Sequence, residues 1–142
     1  PQRSQRTQRM PERHGYEPIA SATEEIIRKI IGAAIEVHRE LGPGFIESVY
    51  GRAMLIELRH RHLLTEAEKA IQIQYRGELV CSHRLDIVVE RLVVVEVKAV
   101  RKLRPIHRAQ ILSYLKASRC RVGLLMNFNV PVLVDGLHRF VL

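Results

Sequence analysis

Two apolar runs that carry charged residues decide the fold: Arg84-Leu85-Asp86-Ile87-Val88-Val89 and Val93-Val94-Val95-Glu96-Val97-Lys98. Both runs are rich in residues that favour strands, and the second is so rich in Val that we expect a central strand buried on both faces. An unpaired charge inside such a strand would cost several kcal/mol. The charged side chains must therefore pair with one another or bind something charged.

Whether these charges converge depends on the turn between the two strands. Glu96 and Lys98 share a face because alternate strand residues do so. If Arg91 lies at the centre of an odd-length turn, Asp86 falls opposite Glu96, with Cβ atoms about 4.5–5.5 Å apart. Two carboxylates this close repel unless a cation lies between them, and oxygen ligands suit Mg²⁺ or Mn²⁺. A structural ion-pair cluster is the alternative interpretation.

The flanking sequence predicts helices before these strands and a further helix after them. Apolar residues at helical spacing begin near Ser21, where Ser21 and Glu24 have the spacing of a capping box, and a Gly-Pro-Gly break ends that helix. The remaining predicted elements are a helix over 45–60, strands over 71–75, 79–89 and 92–99, a helix over 106–117 that Pro105 begins, and strands over 122–127 and 137–142. The order α-α-β-β-β-α-β, with the last strand left open, predicts an α/β fold: a mixed central β-sheet flanked by helices.

The size and composition of the chain predict one domain preceded by a tail. Its 142 residues include an Arg- and Gln-rich segment without apolar periodicity, so we expect a basic flexible tail over 1–20 and a single domain over 21–142. No apolar run approaches the roughly 18 residues that span a bilayer, so no membrane role is expected. Cys81 and Cys120 cannot build a disulfide scaffold, which favours a reducing, cytoplasmic location.

The charge distribution favours a polyanionic partner. Lys and Arg exceed Asp and Glu by 23 to 15, a formal net charge of +8. Between Val97 and Val134 there is no acidic residue, and this stretch contains Arg101, Lys102, Arg104 and Arg108. We therefore expect nucleic acid as the partner, although a solvated basic face without a partner would have the same composition.

Two further patterns complete a set of polar residues. The segment Gly44-Phe45-Ile46-Glu47-Ser48-Val49-Tyr50 places Glu47 in the first turn of the second helix, and Gln110 and Tyr114 share one face of the third. With Asp86 and Glu96-x-Lys98, this ordered set resembles the GxxExxY protein family of the PD-(D/E)XK nuclease superfamily. The similarity extends over about residues 22–131, with Leu85 where the superfamily usually has proline.

The resemblance implies a restriction-endonuclease-like core and a role for each matched residue. Asp86 and Glu96 are similar to the metal ligands, Glu47 to the acidic residue that helps hold the metal, and Lys98 to the catalytic lysine. Gln110 and Tyr114 resemble the Gln-x-x-x-Tyr element that supports the site and the substrate strand. We expect the helix N-terminus to help keep Glu47 ionised.

These patterns lead to a functional hypothesis and to an alternative from another class. The hypothesis is a nuclease dependent on Mg²⁺ or Mn²⁺, with DNA as the favoured substrate, bound through Tyr50 and the four basic residues after Lys98. The alternative is a non-catalytic nucleic-acid- or partner-binding module that retains the nuclease fold. A homodimer or a larger complex is compatible with either. His38 is expected to be a buried helix histidine rather than a metal ligand, and Phe128 is either a stacking or a core residue.

Overall fold

A computed structural model describes residues 17–142, so all of the predicted basic tail except residues 17–20 lies outside the described residues. The described residues form three helices, five strands and a short 3-10 turn. In order they are α1 (Ser21–Leu41), α2 (Glu47–His60), β1 (Thr65–Tyr75), β2 (Glu78–Val89), β3 (Val93–Lys98), α3 (Pro105–Ser118), β4 (Val122–Asn127), the 3-10 turn (Leu133–Gly136) and β5 (Leu137–Val141).

The five strands form one mixed sheet in the order β1-β2-β3-β4-β5. Every neighbouring pair is antiparallel except β3 and β4, which are parallel because α3 connects them. Buried residues of α1 and α2 pack on one face of the sheet, and Leu115 of α3 packs on the other. The predicted fold class, a mixed sheet flanked by helices, is confirmed, and the fifth strand is present.

The central position of β3 explains its composition. Val93, Val95 and Val97 contact the α1 and α2 side of the core, whereas Val94 contacts the α3 side. All four are at most 1% exposed, as the Val-rich sequence predicted. A polar side chain on β3 therefore enters the sheet interior and needs a partner there.

The loop between α1 and α2 is held by one buried tyrosine. Gly42 and Gly44 have φ values of 66° and 112°, a backbone region that glycine adopts at little cost. The Tyr50 hydroxyl donates to the carbonyl of Gly42 at 2.6 Å and accepts from the N–H of Phe45 at 3.1 Å. Its ring stacks on Phe128 with a centroid distance of 4.7 Å, so the loop is anchored to the core.

The structure corrects two local predictions, confirms the prediction for His38 and decides between the two alternatives for Phe128. In the described residues, α1 has no side-chain hydrogen bond at its N-cap, Ala20, so the predicted Ser21 capping box does not form; the Glu24 carboxylate pairs with Arg139 instead. Strand β1 begins at Thr65, six residues before the predicted start at residue 71, because it pairs with β2 as far as Val89. His38 is buried and donates to the carbonyl of Val130 at 2.8 Å, and Phe128 is a core residue.

No helix within residues 17–142 combines the length and the apolar character that crossing a bilayer would require.

The anchoring role of Tyr50 predicts a measurable loss of stability. Tyr50→Phe keeps the stacked ring but leaves the Gly42 carbonyl and the Phe45 N–H without their partner. We expect the free energy of unfolding to fall by about 1–3 kcal/mol in urea denaturation. Tyr75→Phe is the matched control, because Tyr75 is 68% exposed and should change stability little. Equal stability of the two variants would contradict the anchoring role.

Candidate active site

A three-residue turn, Glu90 to Leu92, sets the register of β2 against β3. Val89 pairs with Val93 and Ile87 with Val95, so Arg91 lies at the centre of the turn. Glu90 and Arg91 both have positive φ. The turn is anchored to the start of β1 because the Glu90 carboxylate accepts from the N–H of Leu64 at 2.8 Å. This odd-length turn meets the condition under which Asp86 falls opposite Glu96.

Asp86 and Glu96 are joined through reciprocal bonds to the main chain. The N–H of Asp86 donates to Oε1 of Glu96 at 3.2 Å, and the N–H of Val97 donates to Oδ2 of Asp86 at 2.9 Å. In β2, residues Ile87 to Val89 pair with the backbone of β3. Beyond Ile87 the two carboxylates replace backbone carbonyls as the acceptors. Each carboxylate satisfies an N–H group of the opposite strand.

The close approach of the two acids changes the protonation of Glu96. Glu96 is 5% exposed, and burial, followed by the charge of Asp86, raises its pKa to about 8. Lys98 acts in the opposite direction but more weakly. Without a cation the neutral form of Glu96 is therefore favoured, which relieves the repulsion between the acids.

Glu47 begins α2 and faces the same region. It lines a cleft of about 540 Å³ together with Asp86 and Val97. Burial raises the pKa of Glu47, and Asp86 raises it further, whereas Lys98 and His107 lower it. Burial outweighs the favourable charges in this upward shift, and the contribution of the helix N-terminus to the ionisation of Glu47 stays a prediction. Glu47, Asp86, Glu96 and Lys98 thus form one electrostatic group.

The residues predicted on α3 lie on the side of the sheet that faces α3. The Tyr114 ring stacks on His83 with a centroid distance of 4.3 Å. Its pKa is raised by burial, then by Glu96 and Asp86, which places the phenol near both acids. Gln110 is half-buried one turn earlier and makes no side-chain hydrogen bond within residues 17–142.

The basic residues predicted to contact nucleic acid are exposed, but Tyr50 is not. Arg101, Lys102 and Arg104 lie in the loop that connects β3 to α3, and Arg108 follows in α3, within 3.5 Å of His138 Nδ1. Tyr50 is fully buried between Phe128 and the loop that it anchors. Its predicted contact with nucleic acid is therefore wrong, because no face of its ring reaches a ligand.

Sequence reasoning missed His107, which lies near Glu47. His107 is in the first turn of α3, where its Nδ1 accepts from the N–H of Arg104 at 3.0 Å. A neutral ring bonded in this way carries its proton on Nε2, which leaves an N–H donor available. Pro105 predicted the start of α3 but not its consequence: a proline at the first helical position places His107 at the third, where side chains reach back to the N-cap.

The donor chemistry of this group fits a hard divalent cation. Across the described part of the chain, no three His, Cys, Asp or Glu side chains are arranged so that together they could hold a metal ion. Mg²⁺ does not require such a set, because it is commonly bound through one or two carboxylates plus waters and substrate phosphates. Asp86 and Glu96, with Glu47 on the cleft wall, offer only oxygen ligands, as Mg²⁺ and Mn²⁺ prefer.

A family comparison agrees with this arrangement. The family model described as PD-(D/E)XK nuclease superfamily matches residues 24–140. The chain belongs to the PD-(D/E)XK nuclease superfamily. Proteins of this superfamily generally use divalent metals. No curated protein and no solved structure gives a significant match. The superfamily match covers all the predicted site residues, while the narrower GxxExxY assignment stays a prediction.

The shifted pKa of Glu96 predicts how stability depends on pH in the absence of a divalent ion. A carboxyl whose pKa is higher in the folded than in the unfolded state stabilises the fold fully below its unfolded pKa, about 4.3. That contribution is lost as pH rises through about 8. We expect urea denaturation in EDTA to show a loss of at most about 5 kcal/mol between pH 5 and pH 9.

Glu96→Gln is the matched control for this pH dependence. Its amide keeps an oxygen that can accept from the N–H of Asp86 but does not titrate. The variant should therefore be more stable than the wild type at pH 9 and should lose most of the dependence. A wild-type slope that persists unchanged in Glu96→Gln would show that other groups cause it.

Proposed function

We propose that this protein is a divalent-metal-dependent nuclease that hydrolyses phosphodiester bonds, with DNA as the favoured substrate and Mg²⁺ or Mn²⁺ as the cofactor. Within the superfamily we propose membership of the GxxExxY family, on the spacing of Gly44, Glu47 and Tyr50. The free thiols of Cys81 and Cys120 support a cytoplasmic location. The matched region and the single electrostatic group beside the cleft both support the activity.

One observation carries the proposal: reciprocal hydrogen bonds to the main chain join Asp86 and Glu96 across β2 and β3, with Lys98 on the same strand as Glu96. A protein that needed only a folded core would be more stable with apolar residues here, because burying two acids side by side is costly. The raised pKa of Glu96 expresses that cost. A cation-binding role gives the arrangement a physical reason.

The residues of the chain can divide the work of hydrolysis. Asp86 and Glu96 would hold the ion directly, with Glu47 on the cleft wall bound to it through water, and the ion when bound supplies charge neutralisation at the phosphate and an activated water. The Lys98 ammonium can orient the attacking water or stabilise the charge that develops on the phosphate. The His107 N–H can donate to a phosphate oxygen. Tyr114 and Gln110 would support the site from the side of the sheet that faces α3. Arg101, Lys102 and Arg104 would bind the flanking backbone.

Substitution of Lys98 tests catalysis. Lys98→Ala should lower cleavage of DNA by about 100-fold or more, while metal and DNA binding stay largely intact. Asp86→Asn should remove metal binding and cleavage together, because its amide can still accept from Val97 but no longer carries charge. Cleavage of linear, nicked and circular DNA, and of RNA, would be followed on gels in Mg²⁺, Mn²⁺ and EDTA. Calorimetric titration would measure metal binding.

Lys116→Ala controls for the loss of a positive charge, because Lys116 is exposed on the last turn of α3. It should cleave as the wild type does. A folded, metal-binding Lys98→Ala protein with the wild-type rate would refute the mechanism. A wild-type protein that binds DNA but cleaves under no metal would establish the alternative, a binding module that retains the nuclease fold.

The basic loop after β3 predicts a salt-dependent interaction. Arg101→Ala and Lys102→Ala should each weaken DNA binding and lower the slope of log affinity against log salt by about 0.9 for every phosphate that the variant no longer neutralises. Fluorescence anisotropy of a labelled duplex at several salt concentrations measures this slope. Arg59→Ala is the control, because Arg59 is exposed twelve residues after Glu47 in α2, about 18 Å along the helix. Equal slopes for all variants would rule out the loop as the binding surface.

A further inference from the structure

Two large apolar side chains are exposed immediately before Glu47. Phe45 is 50% exposed and Ile46 is 71% exposed. The Phe45 ring makes an edge contact with the buried Tyr50 ring, at a centroid distance of 6.2 Å. Single exposed apolar residues are common on protein surfaces. Here, however, two adjacent ones stand at the start of the helix that carries a candidate metal ligand.

The backbone holds this pair outward. Tyr50 bonds the N–H of Phe45 and the carbonyl of Gly42, and Tyr50 itself is locked against Phe128. The carbonyl of Ile46 accepts from the N–H of Val49 at 3.1 Å. The loop is therefore anchored on both sides of the exposed pair, so the two side chains cannot retreat into the core without breaking these bonds.

Ile46 also occupies a helix-capping position at which its apolar side chain cannot form a capping hydrogen bond. It is the N-cap of α2, and within the described residues no side chain caps this helix end. Ser, Asp or Asn would stabilise the end by accepting from a first-turn N–H, whereas Ile is among the poorest choices. A residue that breaks a local stability rule beside an active site is a candidate for a functional role.

The surroundings of the pair indicate a ligand with both an apolar face and negative charge. Glu47 follows directly in sequence and lines a cleft with Asp86 and with Val97, the residue before Lys98. Arg52, one turn further along, lines the same cleft. A nucleotide combines a flat apolar base with an anionic phosphate and so matches both features.

We propose that Phe45 and Ile46 form a wedge against which an unpaired nucleobase stacks, and that the site acts on single-stranded or locally unpaired nucleic acid. The inference rests on the nuclease function proposed above and assigns its substrate class. In a duplex the faces of the bases are covered by their neighbours, so only a base that has left the stack can lie against these side chains. Phosphates of the same strand would then run toward Lys98 and the basic loop after β3.

The absence of tryptophan from the sequence makes the wedge directly observable. Phe45→Trp introduces a single Trp at the wedge, and stacking with a base should quench its fluorescence when a single-stranded oligonucleotide is added in EDTA. A duplex of the same length should quench it little. Ile56→Trp is the matched control, since Ile56 is 65% exposed on α2 and about 14 Å from Glu47 along the helix. Its fluorescence should not respond.

Two substitutions measure the contribution of the wedge to binding. Phe45→Ala should weaken binding of a labelled single strand by about 5- to 150-fold and binding of a duplex by less than about twofold. Ile46→Ser should also weaken single-strand binding, yet it should raise the melting temperature by about 2–4 °C because serine caps α2. A variant that is more stable but binds less well separates the role in binding from a role in folding.

The outcomes distinguish failure of this inference from failure of the proposed function. If the wild type binds neither single strand nor duplex in anisotropy, the proposed function fails. If it binds, but Phe45→Ala retains wild-type affinity for single strands, only the wedge is refuted, and the exposed pair would be assigned to a protein partner. Equal quenching of Phe45→Trp by duplex and single strand would refute the assignment of an unpaired substrate.

Discussion

The three-residue turn between β2 and β3 is the constraint on which the site depends. A side-chain period of two means that one residue more or fewer in this turn would move Asp86 to the other face of the sheet from Glu96. The turn places two residues at positive φ, a conformation that costs energy for residues other than glycine. Two hydrogen bonds between Glu90 and Leu64 hold the turn in place. These bonds, at the turn end of β2 and β3, therefore help to determine the geometry of the acids.

The acids show how the protein tolerates buried charge without a cation. Each carboxylate satisfies a main-chain N–H of the opposite strand where the β-ladder ends, so neither is without a hydrogen bond. The raised pKa of Glu96 favours its neutral form, and a proton on Glu96 removes one of the two charges. A bound divalent ion would replace that proton. In the proposed function, folding and cation binding would be coupled through the same pair of residues, because both depend on which positive charge neutralises them.

The spacing of Gly44, Glu47 and Tyr50 has a physical explanation in this structure. Gly44 adopts a φ of 112°, which lets the chain turn sharply into α2. Glu47 begins the helix and faces the cleft, and Tyr50, one turn later, reaches back to bond the loop. A buried tyrosine therefore positions an acid and an exposed apolar pair at the same time. In this protein, the stability of the loop and the position of the candidate metal ligand are not independent.

The sequence by itself determined the class of the fold, most of the elements and the identity of the central strand. Hydrophobic periodicity and the Val-rich run are local properties of the sequence. A strand that is buried on both faces requires such an apolar run, so the run identifies it. The sequence also identified Asp86 and Glu96 as residues that needed partners, because charge in an apolar strand is unusual. The sequence left open whether the two acids would meet. That depends on whether the turn has an odd or an even number of residues, and the identities of Glu90 and Arg91 do not predict their backbone angles.

Only the tertiary structure decided the roles of Tyr50, His107 and Glu24. Tyr50 is a core residue because Phe128, almost eighty positions away, covers its ring. Glu24 pairs with Arg139 rather than capping α1, because β5 brings that arginine alongside the helix. His107 lowers the pKa of Glu47, which lies sixty residues earlier in the chain. Each of these outcomes depends on contacts between residues far apart in the chain, which local sequence patterns do not encode.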